Sequence, residues 1–74
     1  MTQFDNAKIT PRIGARIGRT REAKGMTQSE LAERIEASLP QMMKYERGEQ
    51  DMALSRLFDI AAILDVPVTE LLDE

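Results

Sequence analysis

The residues of this sequence that could do chemistry are cations, amides and hydroxyls rather than thiols or imidazoles. The 74-residue chain contains no cysteine and no histidine, which removes the strongest nucleophile, the commonest general base and the commonest zinc ligand. We therefore expect no enzyme, no metal site and no cofactor. What remains are ten Lys and Arg residues, whose chemistry is the non-covalent binding of anions and of hydrogen-bond acceptors.

The charge is distributed unevenly along the chain, although the net charge is only −3. Residues 8–24 hold six Lys or Arg and one acid, whereas residues 49–74 hold seven acids and one Arg. A basic segment can contact phosphates while an acidic end faces away from them. Charges that only solvate helix faces give the same pattern, so charge alone leaves both interpretations open.

Length and hydropathy limit the class of protein. A chain of 74 residues allows one domain. Its apolar runs, such as residues 60–64, are too short to span a bilayer, and residues 1–8 carry no hydrophobic signal region. We expect a cytoplasmic protein with no membrane partner, consisting of a flexible leader over residues 1–9 and a single domain over residues 10–74.

Cap and stop signals divide this domain into short helices. Helices commonly begin at Thr or Ser, as at Thr10, Thr27 and Ser38. Thr10 is followed by proline, which is favoured at the first helical position. Thr27 is followed three positions later by Glu, and Ser38 by Gln, which are capping-box patterns. Gly25 and Gly48 stand where the first and third helices would stop. Apolar residues spaced by three and four predict a fourth helix over residues 53–64 and a fifth over 68–73. The predicted fold class is all-α, a compact five-helix domain.

The apolar stripes of these helices predict the core. Two glycines, Gly14 and Gly18, lie one turn apart in the first helix, where they would let a neighbouring helix approach closely. The predicted core residues are Ile13, Ile17, Leu31, Ala32, Ile35, Met42, Leu57, Ile60, Ala61, Leu64 and Leu71.

The second and third helices are separated by only residues 36 and 37, an interval that predicts a helix-turn-helix unit. A small residue, Ala32, stands where the helices would cross, and an apolar one, Met42, stands where the third would face the core. The major groove of DNA admits one α-helix. Lys44 is the cation on the predicted outer face of the third helix, and guanine presents two acceptors in that groove.

Residues 13–72 resemble the lambda-repressor/Cro-like helix-turn-helix family, also called the xenobiotic-response-element or XRE family. The matching runs are IGARIGRTREAKGMTQSELAERI, KYERGE and LSRLFDIAAILDVPVTELL. The resemblance implies a lambda-repressor-like DNA-binding domain and double-stranded DNA as the partner. It also implies a transcription regulator of the small phage, plasmid or mobile-element type, acting as a repressor or controller.

The resemblance also implies roles for particular residues. Gln28 matches a glutamine that contacts a DNA phosphate at the positive end of the second helix, and Arg21 and Glu46 match an ion pair joining the first and third helices. Arg47 and the basic residues near the first helix would position the DNA backbone. Gln41 could read a base, but its place in the capping box that begins at Ser38 also explains why a glutamine stands there. The residues facing or flanking the bases would be Ser38, Leu39, Pro40, Gln41, Met43, Lys44 and Arg47.

Two features depart from the family pattern. The family usually has glycine in the turn where this chain has Glu36; a positive φ there would cost about 1 kcal/mol and would place an acid near the DNA. The third helix is also unusually apolar for a base reader. Leu39 could contact a thymine methyl group. The alternative is that residues 39–43 bind a protein partner, as in an antitoxin or anti-activator derived from a helix-turn-helix.

A single helix-turn-helix reads only a half-site, so useful affinity requires two copies. We therefore expect a homodimer on a pseudo-palindromic operator. The fourth and fifth helices carry more apolar residues than a small monomer needs. The predicted dimer interface consists of Ile63, Val66, Val68, Leu71 and Leu72.

Overall fold

The computed structural model describes residues 6–72 of the chain. Across this range the five predicted helices are present, with ends close to those expected. Within the same range, no helix is both long enough and apolar enough to cross a membrane. The elements are β1 (Asn6–Ala7), α1 (Pro11–Ala23), α2 (Gln28–Arg34), α3 (Leu39–Arg47), β2 (Met52–Ala53), α4 (Leu54–Leu64) and α5 (Val68–Leu72).

The helix starts are made by the capping side chains that the sequence predicts. The Thr10 hydroxyl accepts from the N–H three residues on at 3.1 Å. Thr27 and Glu30 form both halves of a capping box, at 3.1 and 2.8 Å. At α3 the structure shows the Ser38 half of the predicted box, in which the hydroxyl accepts from the Gln41 N–H at 3.1 Å.

Four helices end on a residue in the left-handed conformation. These residues are Gly25 and Gly48, both with φ 73°, and the acids Glu36 and Asp65, with φ 59° and 60°. In each case the next residue donates its N–H to the carbonyl five positions back, which is the Schellman arrangement. Glu36, at the position where the resemblance implies a glycine, therefore does have a positive φ.

We expect Glu36→Gly to raise the free energy of unfolding by about 0.5–1 kcal/mol, because glycine adopts this φ without a Cβ penalty, although it loses more entropy on folding. Urea unfolding measures the change. The control is Glu36→Gln, which removes the charge and keeps the side chain, and which should leave stability nearly unchanged. Equal stabilisation by both variants would assign the effect to charge instead of backbone strain.

The prediction of a flexible leader is wrong for residues 6–9. β1 pairs antiparallel with β2, with Asn6 opposite Ala53 and Ala7 opposite Met52, and Ile9 is buried in the core. The domain therefore begins by residue 6, and a short ribbon is added to the all-α fold. Residues 1–5 of the predicted leader lie outside the described residues.

The core is assembled around α3. Every residue predicted for the core is buried, and Ile9, Tyr45 and Met52 join them. α1 and α2 both pack against α3, while α5 packs against α1 and α4. This packing leaves one side of α3 at the surface.

Candidate nucleic-acid interface

α3 is anchored by one face and exposed on the other. Met42 and Tyr45, three residues apart, are buried. The predicted contact residues lie on the remaining surface. Ser38, Leu39, Pro40, Lys44 and Arg47 are exposed, whereas Gln41 and Met43 are half-buried. All seven predicted residues of this segment are thus grouped at the start and on the outer side of α3, which we call the α3 outer face.

The α3 outer face changes character along the helix. Its first turn presents Leu39, which is 40% exposed, and the exposed Pro40. Met43 lies one turn beyond Leu39, and Lys44 one turn beyond Pro40, since residues four apart are neighbours on a helix surface. Lys44 and Arg47 make the second half cationic. The arrangement can place apolar groups and cations side by side against one ligand.

Gln28, the first residue of α2, has a role that the sequence analysis did not identify. Its side-chain Nε2 donates to Glu46 Oε1 at 2.9 Å. The amide therefore links the N-terminus of α2 to α3. The predicted phosphate contact would use the backbone N–H and the positive helix end at the same position.

The predicted ion pair between Arg21 and Glu46 is confirmed. Arg21 Nε donates to Glu46 Oε2 at 2.7 Å and its second terminal nitrogen to Oε1 at 3.1 Å, while the other terminal nitrogen donates to the Met26 carbonyl at 2.8 Å. The hydrogen bonds to Glu46 raise the pKa of Arg21 above its already high value. The guanidinium therefore stays charged throughout the pH range in which proteins fold.

A second link joins α3 to α4. Arg56 donates to the Tyr45 hydroxyl at 2.8 Å, and its guanidinium lies 6.0 Å from the centre of the same ring. Tyr45 thus connects two helices. No spacing in the sequence pairs these residues, because the contact depends on how α4 crosses α3.

The basic residues of α1 do not join the α3 outer face. Arg12, Arg16 and Arg19 recur at positions that share one side of α1. At about 100° per residue, that side is roughly 150° around the helix from Gly14 and Gly18, which pack against the end of α3. The arginines thus lie on the far side of α1 from α3, and their predicted contact with the DNA backbone stays a prediction.

The predicted dimer surface is partly internal. Leu71 is fully buried within the chain, so its assignment to the interface is wrong; it closes the core where α5 packs on α1 and α4. Ile63, Val66 and Val68 are half-buried against that core. Leu72 remains exposed, and so does Phe58 of α4, at 38% and 52%. Phe58 was not predicted for this surface, because it continues the apolar spacing of α4.

Comparison with known proteins places this geometry in a family. A family model described as the Cro/C1-type HTH DNA-binding domain matches residues 16–73. An uncharacterised transcriptional regulator in the ATPase CF(0) region of Rhodospirillum rubrum is 42% identical over 60 residues, which are 81% of this chain and 56% of that protein. An HTH-type transcriptional regulator of Sinorhizobium medicae is 40% identical over 57 residues, which are 77% of this chain and 41% of that protein. The chain thus spans about half the length of these relatives.

Solved structures give the same result. SinR, the master regulator for biofilm formation, solved in complex with DNA, has a TM-score of 0.74 and 39% identity, covering 82% of this chain and 98% of that one. A complex of SinR with SinI gives 0.76 and 40%, covering 84% and 61%. The restriction-modification controller C.AhdI from Aeromonas hydrophila gives 0.75 and 30%, covering 81% and 91%. This chain belongs to the Cro/C1-type helix-turn-helix DNA-binding family, as its GMTQSELAE and KYERG segments indicate.

Proposed function

We propose that the chain is a sequence-specific transcription regulator that binds a pseudo-palindromic operator in double-stranded DNA as a homodimer. The observation that carries this proposal is the α3 outer face. The buried Met42 and Tyr45 hold this helix in the core, and Ser38, Leu39 and Lys44 are exposed on its other side. The sequence is 39% identical to that of SinR, a protein of similar fold that was solved with DNA. The type of regulator that fits is a small cytoplasmic repressor or controller of phage, plasmid or mobile-element origin.

The roles of the contact residues follow from their positions along α3. The N-terminal part of a recognition helix meets base edges in the major groove, which assigns Ser38, Leu39 and Pro40 to the bases, with Gln41 and Met43 beside them. Lys44 is one turn further along and can donate to guanine acceptors. Arg47 ends the helix and Gln28 begins α2, so both are assigned to phosphates.

We expect Lys44→Ala to weaken binding to the preferred operator by about 1–3 kcal/mol and to relax preference at one base pair per half-site. Arg47→Ala should instead weaken binding to all sequences alike and reduce the salt dependence of affinity. The measurement is selection from random duplexes, followed by titration of the selected duplex at two salt concentrations. Both residues are exposed, so neither substitution should unfold the domain.

The outcomes of the selection separate the parts of the proposal. A symmetric motif that depends on Lys44 supports the dimeric regulator. A motif without symmetry would contradict the homodimer alone. If no duplex is enriched over the starting pool, sequence-specific DNA binding is wrong.

The homodimer is supported by the apolar surface that α4 and α5 leave uncovered. Phe58 and Leu72 are large apolar side chains that are exposed at this surface. The half-buried Ile63, Val66 and Val68 are also partly accessible to solvent. Burying such groups against a second copy favours association. Two copies would supply the two half-site contacts that give a small domain useful affinity.

A second candidate function is a helix-turn-helix derivative that grips a partner protein. The exposed Leu39 favours it, because apolar side chains at a surface are common in protein interfaces. SinR, which has a similar fold, was solved in complex with SinI. Failure to enrich any duplex would favour this second function.

A further inference from the structure

We infer that the operator of this protein carries thymines at the base pairs facing the first turn of α3, and that Leu39, with Met43 behind it, recognises their 5-methyl groups. This inference rests on the proposed function and names the chemical feature that the site reads. It divides the α3 outer face into two halves with different ligand chemistry.

The first turn of α3 is poor in groups that could read a base by hydrogen bonding. Leu39 has no polar side-chain atom, and Pro40 has neither a polar side chain nor a backbone N–H. The Gln41 N–H is already taken by the Ser38 hydroxyl at 3.1 Å. The Ser38 hydroxyl proton and the half-buried Gln41 side-chain amide are the polar groups left in this turn, so the contact that Leu39 and Pro40 themselves can make is apolar. The thymine methyl is the apolar group that the major groove presents.

The surroundings of this apolar turn favour DNA over a protein as its ligand. Lys44 and Arg47 are exposed on the following turns of the same face. The single acid within Leu39–Arg47 is Glu46, which is turned inwards and paired with Arg21 at 2.7 Å. Exposed acids flank the helix in the sequence, Glu36 in the turn and Glu49 beyond the helix, the latter 3.7 Å from Arg47. Cations next to the apolar groups match DNA, which offers guanine acceptors to Lys44 and phosphates to Arg47 beside a thymine in the groove.

The small size of the apolar patch on α3 also favours DNA over a protein as its ligand. Leu39, Pro40 and Met43 form a small surface, and Met43 is already half-buried. A stable protein interface needs about 800 Å² from each partner, which is more than three side chains provide. A methyl group that projects from a base edge needs only a contact of this size.

Synthetic duplexes in which deoxyuridine replaces thymine test the inference, because this change removes the methyl and keeps the base pairing. The probe is the duplex enriched by selection, with uracil placed at one position at a time. We expect affinity to fall about fourfold for each contacted methyl, the value of burying one carbon. Leu39→Ala should bind more weakly and should bring the thymine-to-uracil ratio at that position close to one.

Arg47→Ala is the matched control, since it should weaken binding and leave the thymine-to-uracil ratio unchanged. Leu39 is 40% exposed, so Leu39→Ala should keep the parent melting temperature, which is checked separately. Equal affinity for thymine and uracil at every position, or an unchanged ratio in Leu39→Ala, would overturn the inference and leave the proposed function standing. A selection that enriches no motif would remove both.

Discussion

Removing either partner of the Arg21–Glu46 pair is expected to lower the free energy of unfolding by about 3–5 kcal/mol, and removing both should cost less than the sum. The two side chains are only 9% and 10% exposed. Each substitution alone leaves a charge in a site with little water, where an unpaired ion is costly. In Arg21→Met, the Glu46 carboxylate loses both hydrogen bonds from Arg21 and keeps the one from the Gln28 amide.

A double-mutant cycle with Arg21→Met and Glu46→Leu, followed by urea unfolding, measures the coupling directly. The chain offers a control pair in Arg47 and Glu49, which are 3.7 Å apart and 55% and 53% exposed. Exposed pairs contribute little, so the same cycle on this pair should show almost no coupling. Additive effects at Arg21 and Glu46 would show that the buried pair does not act as a unit.

The position of this pair gives it a part in the proposed DNA binding. Glu46 accepts from Arg21 of α1 and from Gln28 of α2 while it belongs to α3 itself. One carboxylate therefore sets the relative placement of the two helices that would contact DNA. Loss of Glu46 should weaken binding even under conditions where the variant is fully folded.

The sequence predicts the helices of this protein well because their signals are local. Thr27 with Glu30 is a capping box that requires only residues three apart, and the structure contains both of its hydrogen bonds. The buried side of each helix is likewise a matter of spacing. Leu57 and Leu64, seven residues apart, fall on the same side of α4, and both are buried.

The features that sequence analysis missed depend on contacts between distant segments. The pairing of Asn6 with Ala53 involves strands of two residues, which are too short to show an alternating pattern. The hydrogen bond from Arg56 to Tyr45 requires the crossing of two helices. Leu71 could be recognised as apolar, but whether it packs inwards or towards a second copy is decided by how α5 folds back.

The candidate site shows the same limit. The resemblance placed the α3 residues on one face, and the structure agrees that they are at the surface. The charge pattern left open whether Arg12, Arg16 and Arg19 would also face the DNA. Their spacing puts them on one side of α1, but only the packing of Gly14 against α3 shows that this side points away from α3.

Gly14→Ala is expected to destabilise the domain by about 3 kcal/mol, because it overfills a contact between two backbones. A Cβ at Gly14 would stand 2.5 Å from the Tyr45 carbonyl oxygen and 2.6 Å from that of Glu46. Neither oxygen belongs to a side chain that could rotate away, so α1 and α3 would have to separate. Helix propensity alone would favour alanine by about 1 kcal/mol, and the expected loss is net of that gain.

Gly18→Ala is the matched control, because it makes the same change one turn further along the same helix. Its Cβ would meet the Glu46 carboxylate oxygen at 3.1 Å, which is the end of a side chain that can shift by a few tenths of an ångström. The gain in helix propensity and the cost of crowding then nearly cancel, so the melting temperature of Gly18→Ala should be close to that of the parent. Thermal unfolding of both variants decides the matter. Similar melting temperatures for the two variants would mean that α1 does not need Gly14 to approach α3. A large drop in melting temperature for Gly14→Ala alone would show that contact between the two backbones limits how closely α1 approaches α3.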